Sequence, residues 1–118
     1  MTAPNLVSIT SVTARTAAQA VTTTATGVVS NSAASGMVYK VSALYLSNIG
    51  AGDSDATVDV DIYKNSTAFH IAKTITIPAD TTLDVLSKSV FLEEGDSLRL
   101  TASADGIIEA VCSYEVIS

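Results

Sequence analysis

The sequence has little of what side-chain catalysis requires. Its 118 residues include one histidine, one cysteine and no tryptophan. His70 lies in an alternating apolar and polar segment shortly after Ser66, and no Gly-x-Ser-x-Gly turn is present. Nucleophilic catalysis needs a nucleophile, a base and a group that orients the base. Because no such set is recognisable, we expect no enzymatic activity.

The single cysteine, Cys112, narrows the chemistry further. It cannot form a disulfide within the chain, and its neighbours Val111, Ser113 and Tyr114 supply no cation that would activate a thiolate. Unpaired cysteines are usually buried, so we predict a core position. One cysteine and one histidine are also too few ligands for zinc. With no basic and apolar leader at the start, we expect the chain to fold in a reducing cytoplasm.

Positive charge is scarce as well. Six basic residues face twelve acidic ones, for a net charge of −6. Nucleic-acid binding proteins neutralise phosphates with clustered Lys and Arg, and anionic membranes attract the same residues. No run approaches the roughly 20 apolar residues that span a bilayer. We therefore expect neither a nucleic-acid partner nor a membrane partner.

What the sequence does have is a period of two, which is typical of strands. In the segment 56–64, Val58, Val60 and Ile62 alternate with polar residues. Turn signals recur about every ten residues. This pattern predicts an all-β chain folded as a single antiparallel β-sandwich, jelly-roll-like, with an N-terminal arm as one interpretation of its first residues. The predicted core contains Val58, Val60, Ile62, Phe69, Ile71, Ile75, Ile77, Leu98 and Leu100.

The first 35 residues differ in composition, since they contain no acidic and no aromatic residue. Two interpretations are open: an N-terminal arm that packs on a neighbouring molecule, or the first strands of the sandwich. We favour strands, because the segment is rich in residues with high β-propensity. Residues 36–118 are predicted to form the β-sandwich, within a single domain overall.

Acidic residues supply the one candidate metal site. Asp53 and Asp55 lie in a Gly-rich turn, and Asp59 and Asp61 share one face of the following strand. Oxygen ligands on a loop suit Ca²⁺, but the EF-hand spacing is absent. We favour the other interpretation, a solvated acidic face that protects a sheet edge. We predict no other metal site and no cofactor.

Two further motifs resemble functional sites but are typical of turns. Glu93, Glu94 and Asp96 offer paired carboxylates, as glycoside hydrolysis requires, without the tryptophan platforms that line a sugar cleft. Asn65-Ser66-Thr67 matches a glycosylation sequon. Because we find no secretory signal in the sequence, we interpret this segment as a tight turn.

Several stretches resemble small virion proteins of tailed bacteriophages, notably those of marine and cyanobacterial phages. The likeness spans nearly the whole chain, and its motifs are structural. The LEEGDSL stretch and the final strand through Ser113-Tyr114-Glu115 look like the C-terminal half of β-sandwich modules in phage decoration, fibre and tail proteins. The similar stretches are 5–7 (NLV), 29–35 (VSNSAAS), 44–48 (LYLSN), 69–75 (FHIAKTI) and 92–98 (LEEGDSL).

The resemblance implies a capsid decoration, or cement, protein. Such a protein is a non-enzymatic virion component, made in the host cytoplasm. It binds the major capsid protein on the outer capsid surface and stabilises the shell by bridging capsid subunits, often as a homotrimer. The alternatives are a tail, collar or fibre module, or a carbohydrate-binding sandwich that recognises a receptor. The resemblance implies no catalytic residues.

Overall fold

A computed structural model describes residues 4–50 and 54–118. In these ranges the chain forms strands and turns, with no helix that is long and apolar enough to cross a membrane. The strands are β1 (Val12–Val21), β2 (Thr26–Ser30), β3 (Val38–Asn48), β4 (Ala56–Lys64), β5 (Thr67–Ile77), β6 (Thr82–Asp84), β7 (Val90–Leu92), β8 (Ser97–Ala102) and β9 (Ile108–Ile117).

The strands form two antiparallel sheets. Sheet 1 has the order β1-β9-β3, with β6 and β7 both paired along the remaining side of β3. Sheet 2 has the order β2-β8-β4-β5. The pairing is nested: β1 pairs with β9, β2 with β8, β3 with β6 and β7, and β4 with β5. This is the winding of a jelly roll in which β6 and β7 together occupy the place of one strand. The predicted jelly-roll-like β-sandwich is therefore confirmed.

The segment before residue 36 supplies an edge strand to each sheet, β1 to sheet 1 and β2 to sheet 2. The residues just before β1 are hydrogen-bonded to the C-terminal residue. The amides of Thr10 and Ser11 donate to the carbonyl of Ser118 at 2.8 and 2.9 Å, and the amide of Ser118 donates to Ser11 at 2.9 Å. Over residues 12–30 the chain is thus part of the sandwich.

The core lies between the sheets. Of the predicted core residues, Val58, Val60, Ile77, Leu98 and Leu100 are buried, and Ile62 and Ile75 pack against them partly exposed. Sheet 1 contributes Val41, Leu44, Leu46, Leu92, Ile108 and Cys112.

Ile71 is a correction to the predicted core, because it is 38% exposed. Along β5 the register with β4 shifts between the pairs Val58↔Ile75 and Val60↔Ala72. An extra residue in one strand reverses the alternation of faces. Ala72 therefore points inward opposite Val60, and Ile71 does not.

Phe69 is the second correction. It pairs with Ile62 and so lies on the inner face, but it is 57% exposed. β5 is an edge strand, and Phe69 lies near the turn that joins it to β4. In that turn Asn65 and Ser66 both have positive φ, at 50° and 62°, as a two-residue type I′ hairpin requires.

Candidate docking surface

The acidic residues weighed as a candidate Ca²⁺ site are not gathered around a common point where the structure describes them. Asp53 lies outside the described residues. The Asp55 carboxylate accepts a hydrogen bond from the amide of Ala79 at 3.3 Å. Asp59 and Asp61 share the outer face of sheet 2 but bind different cationic side chains. Within residues 4–50 and 54–118, no group of three His, Cys, Asp or Glu side chains is placed to hold a metal ion.

Asp59 fastens β4 to β5. Its carboxylate accepts hydrogen bonds from the amide of Thr74 at 2.7 Å and from the Lys73 Nζ at 3.3 Å. Burial acts to raise the pKa of Asp59, but these two hydrogen bonds and the Lys73 charge outweigh it and hold the pKa below its ordinary value. The charge of Asp59 is thus already bound within the chain by Lys73 and the amide of Thr74.

Asp61 is buried beneath an arginine. The Arg99 Nε donates to Asp61 at 2.9 Å, and the Arg99 guanidinium carbon lies 3.9 Å from the centroid of the Tyr63 ring. Charge-assisted hydrogen bonds and cation–π contacts hold such a side chain in one orientation. The outer face of sheet 2 therefore presents ion pairs that are satisfied within the chain.

The residues weighed as nucleophile or base lie in ordinary structural positions. His70 is exposed on β5 opposite Asp61, and Ser66 lies in the β4–β5 turn. Cys112 is buried on the inner face of sheet 1, and burial raises the pKa of its thiol to about 11. A thiol with this pKa stays protonated at neutral pH, so its nucleophilicity is low.

Two carboxylates of the LEEGDSL turn bind a lysine. The Lys64 Nζ donates to Glu93 and, at 2.9 Å, to Asp96, which is buried. These two hydrogen bonds, with Glu93 the larger contributor, raise the pKa of Lys64. Glu94 accepts a hydrogen bond from the amide of Gly36 at 3.0 Å. This turn connects β7 of sheet 1 to β8 of sheet 2 and is therefore a charge-paired junction between the two sheets.

Two buried asparagines support the connections and were not predicted from the sequence. The Asn31 amide donates to the carbonyls of Met37 and Leu92, at 2.9 and 3.1 Å. The Asn48 amide donates to the carbonyls of Ser54 and Ile77, both at 2.9 Å. Each asparagine lies at or just past a strand end, which was the only signal available in the sequence.

The outer face of sheet 1 is built differently. Tyr45 and Val111 are directly opposed across β3 and β9, and their side chains are 42% and 41% exposed. Asp84 of β6 pairs with Tyr45 on its other side and is exposed, so a carboxylate lies in the same row. The rows on either side of this row are mostly small, and Glu109 is the one charge in those rows. These rows are Thr16, Ser113 and Ala43 on one side, and Ala20, Glu109, Ser47 and Thr82 on the other.

One end of this face carries a second apolar cluster. Val38 and Ile117 are paired on the outer face yet buried, while Val12 beside them is 47% exposed. Pro4 and Leu6 lie near Val38 and Phe91, around a concavity of about 330 Å³ that Glu93 also lines. Leu6 and Phe91 are about half exposed, at 51% and 46%.

The two outer faces therefore differ in character. We use the term sheet 1 face for the exposed apolar residues Leu6, Val12, Tyr45, Phe91 and Val111 together with the small and charged residues among them. The charged residues on this face are Lys40, Asp84, Glu109 and Glu115. Sheet 2 presents Asp59, Asp61, Arg99 and Lys73 in internal ion pairs. Clusters of exposed apolar side chains on one face are typical of a surface where another molecule binds. The sheet 1 face is the candidate docking surface.

The sequence matches no protein-family model and no curated protein. The chain is a jelly-roll β-sandwich with one outer face that exposes clustered apolar side chains and one that carries internal ion pairs.

Proposed function

We propose that this protein is a non-enzymatic virion structural protein, a capsid decoration protein that binds the outer capsid surface through its sheet 1 face. There it stabilises the shell by bridging major capsid subunits. The observation that supports this proposal is the contrast between the two outer faces. One exposes Tyr45, Val111 and Phe91 beside scattered charges such as Asp84 and Glu109, and the other is occupied by internal ion pairs. The likeness of the sequence to phage virion proteins supports it as well.

A flat face of small side chains suits attachment to a shell. Alanine, serine and threonine allow close approach of two backbones, and the exposed Tyr45 supplies the kind of aromatic contact that dominates binding energy at interfaces. A standard interface buries about 800 Å² on each partner. Modest affinity per copy is sufficient on a shell, because a protein that bridges subunits gains avidity from multiple contacts.

A second candidate is a carbohydrate-binding module of the tail or fibre. The concavity beside Phe91 places a half-exposed aromatic ring near the Glu93 carboxylate. Sugar sites combine an aromatic platform with polar groups, and jelly rolls include lectins. Lys64 already binds Glu93, which leaves that carboxylate less able to bind a sugar hydroxyl.

The test is binding of the purified protein to expanded capsids that lack decoration proteins, measured by cosedimentation and by particle imaging. Saturable binding in a regular lattice on the shell is the expected result. Binding confined to tails would replace the decoration function by a tail function. Binding confined to host glycans would favour the carbohydrate-binding candidate.

A further inference from the structure

The outward edge of β1 carries a row of unpaired backbone groups. Ser11 and Ser118 exchange both of their backbone hydrogen bonds. Hydrogen-bonded and non-hydrogen-bonded pairs alternate along an antiparallel ladder, so from this pair the odd residues of β1 bond to β9. The even residues direct their N–H and C=O groups away from β9. They are Val12, Ala14, Thr16, Ala18 and Ala20, and all are exposed.

The other edge strands of the described sheets are short or irregular in register, whereas β1 is long and regular. β6 and β7 have three residues each, and β2 has five with a register shift. β5 is long, but its register with β4 shifts twice. β1 has ten residues, pairs with β9 in one unbroken register, and contains no proline. Natural proteins protect long regular edges unless another strand is meant to pair with them.

We propose that two copies of this chain associate by antiparallel pairing of β1 with β1. In the register centred on Thr16, Thr16 faces Thr16 of the second copy. Ala14 then faces Ala18, and Val12 faces Ala20. Every outward N–H of one strand then meets an outward C=O of the other. Other registers that keep the even residues opposed leave some of these groups unpaired.

Charge favours a second copy at this edge. The chain has a net charge of −6, so two copies repel each other over most of their surfaces. The first 35 residues contain no acidic side chain, and the single charge on β1 is Arg15. In the register centred on Thr16, Arg15 faces Ala17 of the second copy, so the two arginines are not opposed. The free edge of β1 thus carries no acidic side chain.

This pairing joins the two copies of sheet 1 into one continuous sheet. Opposed residues of an antiparallel pair share a face, so the two sheet 1 faces lie side by side on the same side of the dimer. The assembly is a dimer, in contrast to the trimer that the likeness to decoration proteins implies. It does not depend on the proposed capsid binding.

Cysteine cross-linking tests both the pairing and its register. Hydrogen-bonded pairs have Cα atoms about 5.5 Å apart, within the range that a disulfide spans. Thr16→Cys is expected to give a disulfide-linked dimer under mild oxidation. Ala14→Cys alone and Ala18→Cys alone are matched controls, because each is roughly 14 Å from its own symmetry mate at 3.4 Å per residue. A mixture of the two control variants is expected to cross-link. Cys112 is buried and contributes little background.

The mass of the wild-type protein completes the test. Sedimentation equilibrium at about 100 µM, well above the Kd of a micromolar dimer, is expected to give twice the chain mass. A monomer or a trimer would overturn the proposal whatever cross-links form. Equal cross-linking of all three single variants, or none by Thr16→Cys, would overturn the register.

Discussion

The carboxylate of Asp59 on β4 accepts a 2.7 Å hydrogen bond from the backbone amide of Thr74 on β5, where the backbone has a φ of 52°. A β-branched residue is rarely found at positive φ, because its side chain crowds the backbone there. The hydrogen bond therefore holds a strained residue within an edge strand. The resulting irregularity shifts the register of β5 and reduces its tendency to pair with another chain.

Removing the Asp59 carboxylate is expected to destabilise the fold. Asp59→Ala should lower the free energy of unfolding by about 1–3 kcal/mol, since a charge-assisted hydrogen bond to a strained amide is lost. Asp59→Asn keeps an acceptor oxygen and should lose less. Adding Thr74→Gly to Asp59→Ala should recover part of the loss, because glycine tolerates positive φ. Urea unfolding measures all three. An Asp59→Ala variant as stable as wild type would show that Thr74 needs no such support.

The same contact makes stability depend on acid. The pKa of Asp59 is lowered in the folded state, so the stabilisation is fully present above the unfolded pKa of about 4. It is lost as the pH falls from there through the lowered folded pKa. The difference in unfolding free energy between wild type and Asp59→Asn should therefore shrink as the pH falls below about 4. A difference that stays constant over this range would contradict the assignment.

The alternation of inward and outward residues along β4 and along β8 could be predicted from the sequence, because both strands are regular on the inner face. Val58, Val60, Leu98 and Leu100 are accordingly buried. The reversal within β5 could not be predicted, since it depends on a tertiary contact from Asp59 and not on the residues of β5. The sheet 1 face could not be predicted either, because the order of the strands in the sheet places Tyr45 beside Val111 and the sequence does not show that order. The buried asparagines depend on the same long-range geometry.

A matched pair of substitutions separates the regular strand from the shifted one. Val60 is fully buried, so Val60→Asp should cost several kcal/mol by placing an unpaired charge in the core. Ile71 was predicted to be buried but is 38% exposed, so Ile71→Asp should cost less than about 1 kcal/mol. Thermal and urea unfolding measure both. Equal destabilisation by the two variants would mean that β5 keeps a regular alternation.

Cys112 should make the fold sensitive to alkali. Burial raises the pKa of its thiol to about 11, above the ordinary value of about 8.5. The unfolded state therefore gains stability by ionising first, and the free energy of unfolding should fall as the pH rises from about 8.5 to 11. This thiol should account for a loss of about 2–3 kcal/mol at the upper limit.

The matched variant is Cys112→Ala, which removes the titrating group. Lysines and tyrosines ionise in the same range, so the informative quantity is the difference in slope between wild type and Cys112→Ala. The variant starts less stable at neutral pH because of the cavity it leaves, but it should show a shallower alkaline decline. Parallel pH profiles would show that the thiol is not shielded from water in the folded state.

Single charges on the two outer faces test where the protein docks. Tyr45→Glu and Val111→Glu place a carboxylate in the middle of the sheet 1 face and should weaken capsid binding about tenfold or more, since a desolvated charge opposes burial at an interface. Thr76→Glu adds the same charge to the exposed outer face of sheet 2 and should leave binding unchanged. All three sites are exposed, so stability should change by no more than about 0.5–1 kcal/mol. Loss of binding in Thr76→Glu with retention in Tyr45→Glu would assign docking to the opposite face.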